Sequence, residues 1–137
     1  MSLSYRIKDF WYDLRYRIQR FKRGYGNRDV WDIDCWFIRT IKPMLIQLRD
    51  EGNGIPGKLY VADGDNERIL WENILTEMID CLDMMEEDNV YKFLGFGELE
   101  DYKRMTIDDV KHVNGIMENN KNRFFELFSE YFYYIWD

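Results

Sequence analysis

The chain has 137 residues, 46% of them hydrophobic and 18% aromatic. That excludes disorder as the main state and is enough to bury a core without staples. Charge is uneven: eight basic residues against two acidic up to Arg28 give +6, leaving −13 for the remainder of a chain whose net charge is −7, so neither a uniformly acidic nor a uniformly basic surface is expected.

In chain order, Ile7, Phe10, Trp11, Leu14, Ile18 and Phe21 recur at helical spacing and predict a basic first helix over residues 4–22, with Ser4 as N-cap and Gly24 as the stop. Arg6, Arg15, Arg17 and Arg20, interleaved with Tyr5, Tyr12 and Tyr16, form the other side. Such a face suits phosphates, anionic lipid or an acidic protein surface, or it is a solvated face whose stems cover apolar neighbours. The Arg23–Trp31 stretch reads as a tight glycine turn. A second helix follows from Val30 to about Asp50, capped by Asn27 or Asp29 and kinked at Pro43, with Trp31 and Trp36 as structural anchors.

Gly52 to Gly57 is the strongest break, and Leu59-Tyr60-Val61 reads as extended loop. A third helix spans about Asn66 to Glu86 on a stripe of Leu70, Ile74, Met78, Leu82 and Met85, flanked by Trp71, Leu75 and Ile79. A loop or short helix near Tyr91 to Leu94 leads to Thr106, whose spacing to Asp109 resembles a capping box. The last helix then carries Val110, Val113, Met117, Phe124, Phe128, Tyr131 and Ile135 on one stripe, with Asn120 placed to fix packing register and a bend allowed near Gly115. Phe125, Phe132, Tyr133 and Trp136 lie off that stripe and point to a partner or homodimer surface.

The segment RFKRGYGNRDVWDIDCWFIRTIKPML, residues 20–45, followed by EGNGIP at 51–56, resembles a group of small uncharacterised proteins encoded by bacteriophages and prophages. Their shared pattern is an Arg-Gly-Tyr turn, a polar pair, a Trp, an aromatic helix and a Gly-x-Pro loop. The match covers Trp11 to Pro56, under half of the chain. It implies a phage accessory protein acting in the host cytoplasm, with interference in a bacterial defence system a natural role. It supplies no catalytic residues.

Constellations with chemical potential fall short on residue type or spacing. Asp63-Gly64-Asp65-Asn66-Glu67 begins like a calcium loop but has Arg68 where glycine is needed and Ile74 where glutamate must chelate, so a capped helix start is the better reading. Glu77 and Asp80 share a helical face, as in magnesium-dependent nucleotide hydrolases, yet the second carboxylate pair has no clear source beyond Glu98 and Asp101. Asp109 and His112 need a second histidine motif, and His112 is the only histidine. Gly24-Tyr25-Gly26 and Gly95-Phe96-Gly97 lack the third glycine of a dinucleotide loop. Cys35 and Cys81 are expected as buried free thiols in a reducing cytoplasm.

The expected fold is all-α: a single domain of about four main helices, with a basic helix at 4–22 and an acidic helical body at 28–137. The expected function is non-enzymatic binding of a host or phage macromolecule, a protein partner first, with no cofactor, no metal and no membrane, since nothing approaches a spanning segment. One alternative is nucleic-acid or nucleotide binding through Arg15, Arg17, Arg20, Arg23, Tyr25 and Arg28. The other is the nucleotide hydrolase.

Overall fold

The computed structural model describes residues 3–60, 66–98 and 100–136. Five α-helices run in order: α1 Leu3–Arg23, α2 Ile33–Glu51, α3 Asn66–Asp83, α4 Glu87–Phe93 and α5 Ile107–Tyr131, with short 3-10 turns between them and after α5. No strand occurs among the described residues. The all-α expectation holds, but the count of about four main helices is short by one: α4, Glu87–Phe93, is a full helix where a loop or short helix near Tyr91 to Leu94 was expected. Contacts divide the chain into two compact units, Met1–Thr40 and Ile41–Asp137, with the division falling inside α2.

Unit 2 holds the apolar core. Trp71, Leu75, Met78 and Leu82 of α3 are buried and pack along α5, which contributes Val113, Phe124, Leu127 and Tyr131. The buried stripe on α3 is centred on Trp71 and Leu75, and Leu70 is left 43% exposed. That rotates the face by about 50° from the expected Leu70–Met85 stripe, with Met78 and Leu82 common to both, because α3 is apolar over an arc wide enough to bury more than one way. Phe124 stacks on Phe128 at 5.2 Å, and Trp71 meets Tyr131 at 5.5 Å. Val90, Tyr91 and Val113 form a smaller cluster with Phe96, Met105 and Met117 packed against it.

Local signals placed several boundaries. Thr106 accepts the Asp109 amide at 3.2 Å while the Asp109 carboxylate accepts the Thr106 amide at 2.8 Å, so the capping box forms with Asp in the usual Glu position. Other boundaries moved. The 27–30 stretch is a separate 3-10 turn and α2 starts at Ile33; α3 stops at Asp83; α5 ends at Tyr131 in a 3-10 turn, Phe132–Tyr134. Gly57–Leu59 is also a 3-10 turn where extended loop was expected, and Val61 lies outside the described residues. Asp63 to Asp65 lie outside them too, while Asn66 and Glu67 open α3. Asn120 donates to its own helix at Ile116 O, 2.8 Å, instead of setting register with a neighbour. Cys81 is buried, and burial raises its thiol pKa, but Cys35 is exposed, contrary to expectation. It sits in the first turn of α2, ahead of the stretch that carries buried Ile38.

Candidate functional site

The basic stretch singled out in the sequence folds as unit 1, and its centre is a carboxylate. Gly24 ends α1 with φ +81°, a left-handed conformation that glycine adopts without penalty, and its amide reaches Arg20 O at 2.8 Å. Gly26 follows in extended conformation, and a Cβ there would collide with the Tyr16 ring. The chain then turns through Asn27–Val30 and buries the side chain of Asp29.

Asp29 accepts hydrogen bonds from the Gly26 amide at 2.7 Å, the Tyr16 hydroxyl at 2.7 Å and Arg39 Nη2 at 3.0 Å, with Arg20 Nε at 3.8 Å. Burial pushes its pKa up; the Gly26 amide, the Tyr16 hydroxyl and the charges of Arg20 and Arg39 outweigh that and hold it below the ordinary carboxylate value. One residue therefore ties α1, the turn and the first half of α2. Sequence reading had given Asp29 only a capping role. The signal was the Gly26-x-x-Asp29 spacing, in which the Asp29 amide also bonds Gly26 O at 3.1 Å.

The other basic groups of the turn are likewise engaged. Arg23 donates to Tyr25 O at 3.1 Å and lies 4.4 Å over the Tyr25 ring. Arg28 pairs with Asp13 and stacks over Tyr12 and Tyr16 at 4.4 and 4.7 Å. Trp36 Nε1 donates to Gly24 O at 3.3 Å, so Trp36 is a half-buried anchor. Trp31 is 88% exposed and anchors nothing, because the turn projects it outward. Of the predicted binding residues, Arg20, Arg23, Tyr25 and Arg28 come together and hold the turn. Arg15 and Arg17 do not join them and have no ion-pair partner among the described residues. Arg15 edges a groove of about 670 Å³ with Tyr12, Tyr16, Arg28 and Trp31.

All of these contacts use the tyrosine side of α1. At about 100° per residue, Leu3, Ile7, Phe10, Trp11, Leu14, Ile18 and Phe21 fall on the opposite side, within an arc of about 100°. No residue of α1 is buried, and Phe10, Trp11 and Phe21 are 62%, 63% and 93% exposed. Unit 1 holds this helix by its polar side and leaves the apolar side uncovered.

In unit 2, Phe125, Phe132, Tyr133 and Trp136 are exposed, and edge-to-face contacts of 5.3–6.5 Å run in series from Phe125 to Phe128, Phe128 to Phe132 and Phe132 to Tyr133. A groove of about 380 Å³ runs between Ile41, Leu45 and Leu48 of α2 and Phe128, Phe132 and Trp136. Glu77 is held bidentately by Arg123 at 2.6 and 3.2 Å. His112 is exposed. Among the described residues no three His, Cys, Asp or Glu side chains come together in a way that would hold a metal ion, and no helix is long and apolar enough to cross a membrane. Compared with known proteins, the chain matches no family model, no curated protein and no solved structure.

Proposed function

We propose that this chain is a non-enzymatic binding protein that docks on a host or phage target through α1. The observation that carries this reading is the uncovered apolar arc. Single exposed apolar residues are ordinary, but six of them with half-buried Leu14 on one arc of a helix with no buried residue form a contiguous patch of the kind that marks an interaction site. The phage setting and a part in countering a defence system come from the sequence resemblance alone.

Melting curves of Phe10→Ser and Phe21→Ser test the reading. An uncovered face predicts melting temperatures equal to wild type, whereas residues that are core elsewhere would cost several degrees. A large loss of stability in both variants would end the docking reading.

A second reading, nucleotide or single-stranded nucleic acid in the groove beside Trp31, is favoured by one observation. Exposed Trp31 and Tyr12 offer stacking surfaces next to unpaired Arg15. Fluorescence polarisation with labelled oligonucleotides tests it, and binding that ignores Trp31→Ala would rule out that groove. The hydrolase alternative gains nothing from the geometry, since Glu77 is occupied by Arg123. The exposed C-terminal rings keep homodimerisation open to light scattering.

A further inference from the structure

We infer that the target of α1 is an anionic lipid bilayer, on which the helix lies flat in the headgroup region without crossing it. This rests on the docking reading above and adds the chemistry of the docked surface. The expectation of no membrane partner came from the lack of a spanning segment, and a helix lying in the interface needs none.

Three features of α1 carry the inference. First, its apolar arc is rich in the residues that partition to the interface: Trp11, Phe10 and Phe21 beside Ile7, Leu14 and Ile18. Second, the cations stand at the edges of that arc. Arg6 and Arg17 flank one edge; Lys8, Arg15 and Lys22 flank the other, at about 100° per residue. None of the five has an ion-pair partner among the described residues. Third, the back of the helix is already occupied, since Tyr12, Tyr16, Gln19 and Arg20 bond or stack with the turn through Asp29, Arg28 and Asn27. Helix rotation is thereby fixed with the apolar arc outward.

Edge cations with long aliphatic stems let the arc sink while the charged heads stay level with lipid phosphates. A protein groove would need carboxylates along both of its lips to match both rows. A flat anionic surface matches both at once along the whole helix, 21 residues or about 32 Å. Opposing this, residues after Thr40 carry a net charge of −11, which the same surface repels wherever they come within a screening length of about 8–10 Å. Binding is therefore expected to need anionic lipid and to be reversible.

The test uses the full chain and sedimentation with phosphatidylcholine vesicles, with and without a third of phosphatidylglycerol. The expected result is binding to the anionic vesicles at low salt, little to neutral ones, and release at high salt. Each edge cation removed should lower partitioning about fivefold, so Arg15→Gln with Arg17→Gln should lower it about 25-fold while the melting temperature stays at the wild-type value. Phe10→Ser should abolish the binding, and Trp11 emission should shift to the blue on binding, a shift absent in Trp11→Phe. Equal binding to neutral and anionic vesicles would overturn the role of the cations. No binding to anionic vesicles at low salt, or capture by polyglutamate in its place, would overturn the lipid assignment. In that case unchanged melting of Phe21→Ser leaves the docking reading standing; its loss of fold removes both.

Discussion

Asp29→Asn is the substitution that most directly tests how unit 1 is held. The native carboxylate accepts the Gly26 amide and the Tyr16 hydroxyl at 2.7 Å each and Arg39 at 3.0 Å while almost wholly buried. Asparagine keeps one acceptor oxygen and turns the other position into a donor, facing either a backbone amide or a hydroxyl. One charge-assisted bond is lost, worth about 1.5–3 kcal/mol, and a buried donor is left mismatched at about 1–3 kcal/mol. Arg39 and Arg20 are 54% and 42% exposed and return to water, so their share is small. The two costs fall on the same pair of atoms and overlap, so the expected loss is about 2–4 kcal/mol, less than their sum and confined to unit 1. Amide hydrogen exchange measures it locally: α1 and the 27–30 turn should exchange roughly 30- to 1000-fold faster, with α3 and α5 unchanged. The pH dependence gives a second signature. Because the folded pKa of Asp29 is depressed below its ordinary 3.8, its stabilisation is complete above the unfolded value and is lost as pH falls through the folded value. Wild-type α1 should therefore lose protection at acid pH, and the Asn variant should lack that component. Equal protection of α1 in both proteins at neutral pH would refute the central role of Asp29.

Other substitutions separate the two units. Phe124→Ala empties the centre of the α3–α5 core and should cost about 3–5 kcal/mol in a urea melt; a loss below about 1 kcal/mol would show that Phe128 and Leu127 refill the space. Gly24→Ala should cost about 1–2 kcal/mol, from its positive φ alone, since open space surrounds it. Gly26→Ala should cost more, because the new methyl displaces the Tyr16 ring and with it a bond to Asp29; equal exchange rates in the two variants would contradict that difference. Iodide should quench Trp31 emission most and Trp71 least, read from Trp31→Phe and Trp71→Phe, given exposures of 88% and 1%.

Much of the fold was legible because its signals are local. Gly24 needs a left-handed conformation and Thr106–Asp109 needs only four consecutive residues, so both helix ends could be read without neighbours. The α3 stripe was harder: Leu70-Trp71 and Ile74-Leu75 are adjacent apolar pairs, and periodicity alone does not choose which member faces in. Packing chose Trp71 and Leu75, whose side chains meet α5. The aromatic excess at the C-terminal end was legible as surplus, and the rings at Phe132, Tyr133 and Trp136 are indeed exposed.

The site was legible in composition and illegible in arrangement, for one physical reason. Spacing shows which side chains share a face of α1, but not which face the rest of unit 1 takes hold of. The ordinary outcome is that an amphipathic helix buries its apolar face, since that burial supplies most of its stability. Here Asp29 supplies a polar anchor instead. Its buried charge draws Tyr16 and Arg20 of α1 and Arg39 of α2 to one point, and Arg28, seated on Tyr12 and Tyr16, closes the same side. A buried carboxylate is costly unless its partners are fixed, and fixing those partners sets the rotation of α1. The arginines that looked like a ligand-binding face are thus mostly the means of mounting the helix. What they leave free, outward and edged with cations, is the apolar arc.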